Sequence, residues 1–189
     1  KTIKLHIDRA IQRIVERSLQ SGMARYGAKG ASAVIMDPKN GAIVAMASYP
    51  SYDPTKSWLY PRQNLKNPLT ADGYEPGSTF KVLVMAAGIN EGLVTPETRC
   101  DICNGPLKVT NYTIRTWNNK YMENPTMTDV IVHSDNTGMV FIGRKMGQDK
   151  LFDYIRQFGF GDVTGVDLQD EQSPSIRPLK DWKEIDLAT

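Results

Sequence analysis

Apolar and polar residues alternate over residues 2–7, with Ile3, Leu5 and Ile7 on one side and Lys4 and His6 on the other. That is the pattern of a half-buried strand. At Asp8 the period changes: Ile11, Ile14, Val15, Leu19 and Met23 recur at spacings of three and four, which predicts an amphipathic helix closed by Gly27 and Gly30. Two short apolar runs, 31–36 and 42–47, flank Asp37-Pro38-Lys39-Asn40-Gly41. Asn-Gly between such runs predicts a β-hairpin. Residues 48–77 then carry five prolines and no periodicity. A loop of that length inside a domain is usually functional or disordered, and this one leads to a serine at the head of an apolar run.

The second half is mainly helical in pattern. A helix is predicted from near Ser78 through Val82–Ala87, with Gly92 and Pro96 as its exit. Short strands are predicted at 107–109 and 112–116, ending at Trp117. Thr126 and Asp129 have capping-box spacing and open a helix that ends at Ser134. Further helices are predicted over about 137–146 and 150–158, the last with Leu151, Tyr154, Ile155 and Phe158 as its buried stripe. Gly159 stops it. The interleaving of helices and short strands predicts a mixed α/β (α+β) chain.

With 189 residues, 40% of them hydrophobic, the chain can bury a substantial core. Its 23 basic and 21 acidic residues nearly balance, which leaves no nucleic-acid footprint. No apolar run reaches the length needed to cross a membrane. The sequence enters directly into a strand pattern without a signal peptide, the expectation for a piece of a longer protein.

Chemistry concentrates at Tyr74-Glu75-Pro76-Gly77-Ser78-Thr79-Phe80-Lys81. Pro76 and Gly77 break the preceding chain, and Ser78 falls at an N-cap or first-turn position. Lys81, three residues on, stands above Ser78 on the same helical face. A serine needs a base to become a nucleophile, and a lysine partly desolvated by an apolar run can serve as one. The helix start adds free N–H groups suited to an oxyanion. A second cluster, Ser134-Asp135-Asn136-Thr137-Gly138, follows a predicted helix. A phosphate-binding loop is excluded, because Lys81 lies four residues after Gly77 instead of directly after it. Gly159, Gly161 and Gly165 follow a helix, so they read as a turn and not as a dinucleotide site.

Cys100 and Cys103 are the only cysteines, and His6 and His133 the only histidines. A closed zinc site would have to draw on His133 beside Ser134, which disfavours it. A local disulfide in an oxidising compartment and a pair of free thiols both remain open. His133 is expected to be a satisfied, partly buried residue at a helix end.

Together these segments resemble class B penicillin-binding proteins. Residues 33–50 resemble the hairpin ahead of the nucleophile, and residues 74–81 are similar to the first motif almost letter for letter. Ser134-Asp135-Asn136-Thr137-Gly138 matches the second motif. Residues 158–161 with 164–168 resemble the segment that follows. The resemblance implies a penicillin-binding, serine β-lactamase-like transpeptidase fold, an antiparallel sheet packed with helices. It implies a peptidoglycan D,D-transpeptidase in which Ser78 attacks a stem peptide ending in D-Ala-D-Ala. Lys81 would accept its proton and Ser134 would relay a proton to the leaving amine. Asn136 would hold the substrate amide or orient Lys81, the Ser78 N–H would serve the oxyanion, and Thr137 is grouped with the substrate-binding residues.

The same resemblance implies covalent inhibition by β-lactams, no metal or organic cofactor, and work alongside a glycosyltransferase and other cell-wall synthesis proteins. It also implies a place on the outer face of the bacterial membrane, held by an anchor outside this stretch. Hydrolytic relatives (β-lactamase or D,D-carboxypeptidase) and a non-catalytic β-lactam sensor are the alternatives. The run Thr137-Gly138-Met139-Val140 is closer to the division-type enzymes than to the elongation type. No Lys-Thr-Gly follows Asn136, and Glu184–Thr189 resembles the segment just ahead of that third motif. Residues 1–189 are therefore expected to be the N-terminal and middle part of one transpeptidase domain, lacking its C-terminal strands and inactive alone.

Overall fold

A computed structural model describes residues 2–172 and 175–187. The chain forms two compact units, Lys1–Gly73 with Gly165–Gln172, and Tyr74–Thr164 with Ser173–Thr189.

In the first unit, α1 (Arg9–Tyr26) is opened by Asp8, whose carboxylate accepts the Ala10 and Ile11 N–H groups. It ends at Gly27, left-handed at φ 61°, a conformation that glycine adopts without a Cβ penalty. The predicted hairpin is present as β1 (Ala31–Met36) and β2 (Ile43–Tyr49), antiparallel with a bulge between Ile35 and Met36. The apolar stripe of α1 lies on this hairpin, with Val15, Ala45 and Ala47 buried and Ile11, Leu19 and Ala33 packed around them. Gln12 stitches helix to strand, donating to the Met46 carbonyl and accepting the Met46 N–H, at 2.8 and 2.9 Å.

Residues 2–7 are not a strand. They join no β ladder among the described residues, and Ile3 is 84% and Leu5 69% exposed. Alternation fixes which side chains share a face, but a strand also needs a neighbour for its backbone groups. The proline-rich stretch is less irregular than its composition implied: it holds 3-10 turns at Pro54–Leu59 and Arg62–Leu65 and the short helix α2 (Pro68–Ala71).

The second unit is built on helices. A 3-10 turn, Gly77–Phe80, runs into α3 (Lys81–Asn90). The hairpin β3 (Leu107–Val109) and β4 (Tyr112–Ile114) follows, shorter at its end than the predicted 112–116. Then come α4 (Met127–Val132), α5 (Asn136–Met146) and α6 (Gln148–Gln157). The capping box is present: Thr126 accepts the Asp129 N–H, and the Asp129 carboxylate accepts the Thr126 N–H. Met127, Val130, Met139, Ile142 and Met146 form the core with Val84, Met85 and Ala87 of α3. Gly138 lets α5 approach α4, since a β-carbon there would sit inside van der Waals contact with the Val130 methyls.

Cys100 and Cys103 are joined in a disulfide, fully buried in this core. Among the described residues no group of acidic, histidine or cysteine side chains could hold a metal. Two expectations fail locally. Phe158 is 47% exposed, because α6 ends at Gln157 and the chain turns there; Leu151 is the buried member of the stripe. His133 is exposed, standing at the C-cap of α4 with its backbone N–H given to Asp129. No helix among the described residues is long and apolar enough to cross a membrane.

Candidate active site

The cleft lies wholly within the second unit. It is open, about 560 Å³, and its lining includes Ser78, Lys81, Arg115 and Asn136. Gly77, at φ 56°, turns the chain into the 3-10 turn that carries Ser78. Ser78 is therefore a first-turn residue and not a side-chain cap. Ser78 is exposed, and its hydroxyl has no hydrogen-bond partner among the described residues. Its N–H, in the first turn, has no intrahelical acceptor.

Lys81 opens α3 and reaches the connection between α4 and α5. Its Nζ donates to the Ser134 carbonyl at 2.7 Å, to Ser134 Oγ at 3.0 Å and to Asn136 Oδ1 at 2.5 Å. Three acceptors account for the three hydrogens of an ammonium. Burial pushes the Lys81 pKa below its ordinary value of 10.5, and the nearby Asp135 charge partly opposes this. All three of its contacts are neutral oxygens, so no contacting carboxylate offsets the desolvation.

The second cluster is shaped by its backbone. Ser134 is left-handed at φ 53°, a strained conformation for a residue with a β-carbon. It is fixed from both sides, since the Ser134 N–H donates to the Ile131 carbonyl and the Asp135 N–H to that of Val130. This turn presents the Ser134 carbonyl and hydroxyl together to Lys81. Asp135 is buried and caps α5, accepting the Thr137 N–H at 2.7 Å and the Thr137 hydroxyl at 2.6 Å. Asn136 spans the cleft floor: its Oδ1 faces Lys81 and its Nδ2 donates to the Arg115 carbonyl at 2.7 Å. A flipped amide would point its NH2 at the ammonium, so both bonds fix one orientation.

Of the residues singled out in the sequence, Ser78, Lys81 and Asn136 line the cleft, and Ser134, which is not part of the lining, joins them through its two bonds from Lys81. Thr137 does not: it is fully buried, its hydroxyl is committed to Asp135, and it is not part of the cleft lining. Two contributors were not visible in the sequence. The cleft wall made by Thr113 and Ile114 of β4 with Arg115 beyond it, and the Arg115 carbonyl that holds Asn136 from 21 residues away, come from tertiary contacts for which no local pattern exists.

Comparison with known proteins supplies the family. Residues 31–189 match the penicillin binding protein transpeptidase domain. The chain belongs to that family. Over 188 residues it is 37% identical to stage V sporulation protein D of Bacillus subtilis, covering 99% of this chain and 29% of that protein. It is 30% identical over 187 residues to peptidoglycan D,D-transpeptidase FtsI of Escherichia coli K12, covering 99% of this chain and 31% of that one. Penicillin-binding protein 3 of Mycobacterium tuberculosis, solved in complex with aztreonam, matches with a TM-score of 0.86 at 31% identity, over 96% of this chain and 41% of that chain. These matches establish the penicillin-binding transpeptidase fold, with its mixed helices and sheet, and class B membership. The chain spans under a third of the length of these two curated relatives.

Proposed function

We propose that this chain is the serine-bearing part of a peptidoglycan D,D-transpeptidase, and that residues 1–189 make up the N-terminal and middle portion of one transpeptidase domain. The observation that carries the reading is the position of Lys81, one turn from an exposed Ser78 and bonded to both Ser134 and Asn136.

In this reading the neutral form of Lys81 takes the Ser78 hydroxyl proton as Oγ attacks the carbonyl between two terminal D-alanines. The oxyanion forms against the Ser78 N–H. When the C–N bond breaks, the leaving D-alanine amine takes a proton passed from Lys81 through the Ser134 hydroxyl. The acyl-serine ester is then attacked by an amine of a second strand, which loses a proton to the same relay and leaves an amide cross-link and free Ser78. Asn136 orients Lys81 through Oδ1 and holds the donor amide. β-Lactams acylate Ser78 by the same route, the ring amide taking the place of the scissile bond. Acyl transfer of this kind uses no metal or organic cofactor. The protein acts at the outer face of the membrane with a glycosyltransferase and other cell-wall proteins, in division more than in elongation.

The test follows the fate of the acyl group. The full-length protein, given a peptide ending in D-Ala-D-Ala and an excess of a D-amino acid, should form the exchanged peptide, with Ser78→Ala forming none. Hydrolysed peptide as the sole product would replace transpeptidation with carboxypeptidase activity.

A further inference from the structure

We propose that Arg115 is a specificity-determining residue that binds a carboxylate on the acyl-donor peptide, on the portion retained after D-alanine leaves. The inference rests on the acyl-transfer reading above. Arg115 lies on the cleft wall where β4 ends. Its carbonyl accepts the Asn136 amide at 2.7 Å, which ties this residue to the group assigned to the donor amide. Thr116, next in the chain, is buried, and its hydroxyl donates to the Lys120 carbonyl. Exposure alternates along this stretch, with Ile114 half-buried, Arg115 exposed and Thr116 buried, so Arg115 stays on the solvent side of the chain as it leaves β4.

Arg115 is exposed, and its guanidinium has no hydrogen bond or ion pair among the described residues. The other charged groups of the lining are differently placed. The Lys81 hydrogens are taken, and Asp186 is paired with Arg177 at 2.6 Å. Glu75 has the charge that repels a carboxylate. Arg115 is thus the uncommitted cation of the cleft among the described residues, and its planar fork matches a carboxylate through two parallel N–H···O bonds.

Two β-lactams with one nucleus separate this role from acylation itself. Carbenicillin is benzylpenicillin with an added carboxylate on the acyl side chain, the part that corresponds to the retained donor. Second-order acylation rate constants for both are measured on the full-length protein and on its Arg115→Gln and Arg115→Lys variants. The ratio of carbenicillin to benzylpenicillin rates should fall about tenfold in Arg115→Gln, the scale of one lost charge-assisted contact, and recover in part in Arg115→Lys. The fall should shrink as salt is raised, as expected for an exposed charge pair. An unchanged ratio in both variants overturns the assignment of Arg115 while leaving acylation standing. Failure of both antibiotics to acylate the unsubstituted protein overturns the acyl-transfer reading and this inference together.

Discussion

Lys81 faces a carbonyl, a hydroxyl and an amide oxygen, and no carboxylate touches it. Burial therefore weakens its hold on a proton, as a general base requires. Below its lowered pKa Lys81 is protonated and cannot take the Ser78 proton, so acylation should rise with pH through a midpoint below 10.5 and level off above it. Penicillin acylation measured across pH should show that limb, and Lys81→Met should cut the plateau rate by roughly 10²–10⁴-fold. Asn136→Asp supplies the missing negative charge. It should favour the ammonium, raise the Lys81 pKa and move the limb to higher pH; an unmoved limb would remove Lys81 as the titrating base. The serine and lysine were legible from their spacing, because one helical turn brings them together. The left-handed Ser134 and the Asn136–Arg115 bond were not, since both depend on how separate elements meet.

The elements that carry these residues are held by close helix approach. Gly138 places α5 against Val130 of α4, and the turn between these helices holds Ser134 and Asp135. Gly138→Ala should destabilise the protein by about 1–3 kcal/mol, the range for overpacking a well-filled core. Urea unfolding measures this directly, and Val130→Ala in the same chain should restore part of the loss by making room. Equal losses with and without Val130→Ala would mean that the contact is not what glycine serves. The helices and the first hairpin were readable because caps, Asn-Gly and period 3.6 are local signals. Residues 2–7 misled because alternation reports a shared face and says nothing about a pairing partner. Phe158 misled because periodicity was carried past the residue at which the helix stops.

At the scale of the molecule, the division into two compact units has no punctuation in the sequence; Gly73 and Gly165 are unremarkable in composition. The site falls entirely in one of them. Ser78, Lys81, Ser134 and Asn136 share the unit that also holds the buried Cys100–Cys103 disulfide. Family membership extends over residues 31–189, so the first hairpin and the site belong to one matched stretch. The central claim is that Ser78 is the acylated nucleophile. Labelling the full-length protein with a fluorescent penicillin, beside Ser78→Ala, tests it most directly. One covalent label per chain is expected, lost in Ser78→Ala and mapped to the peptide that contains Ser78. Undiminished labelling of a folded Ser78→Ala protein, or no labelling of the folded unsubstituted protein, would contradict it.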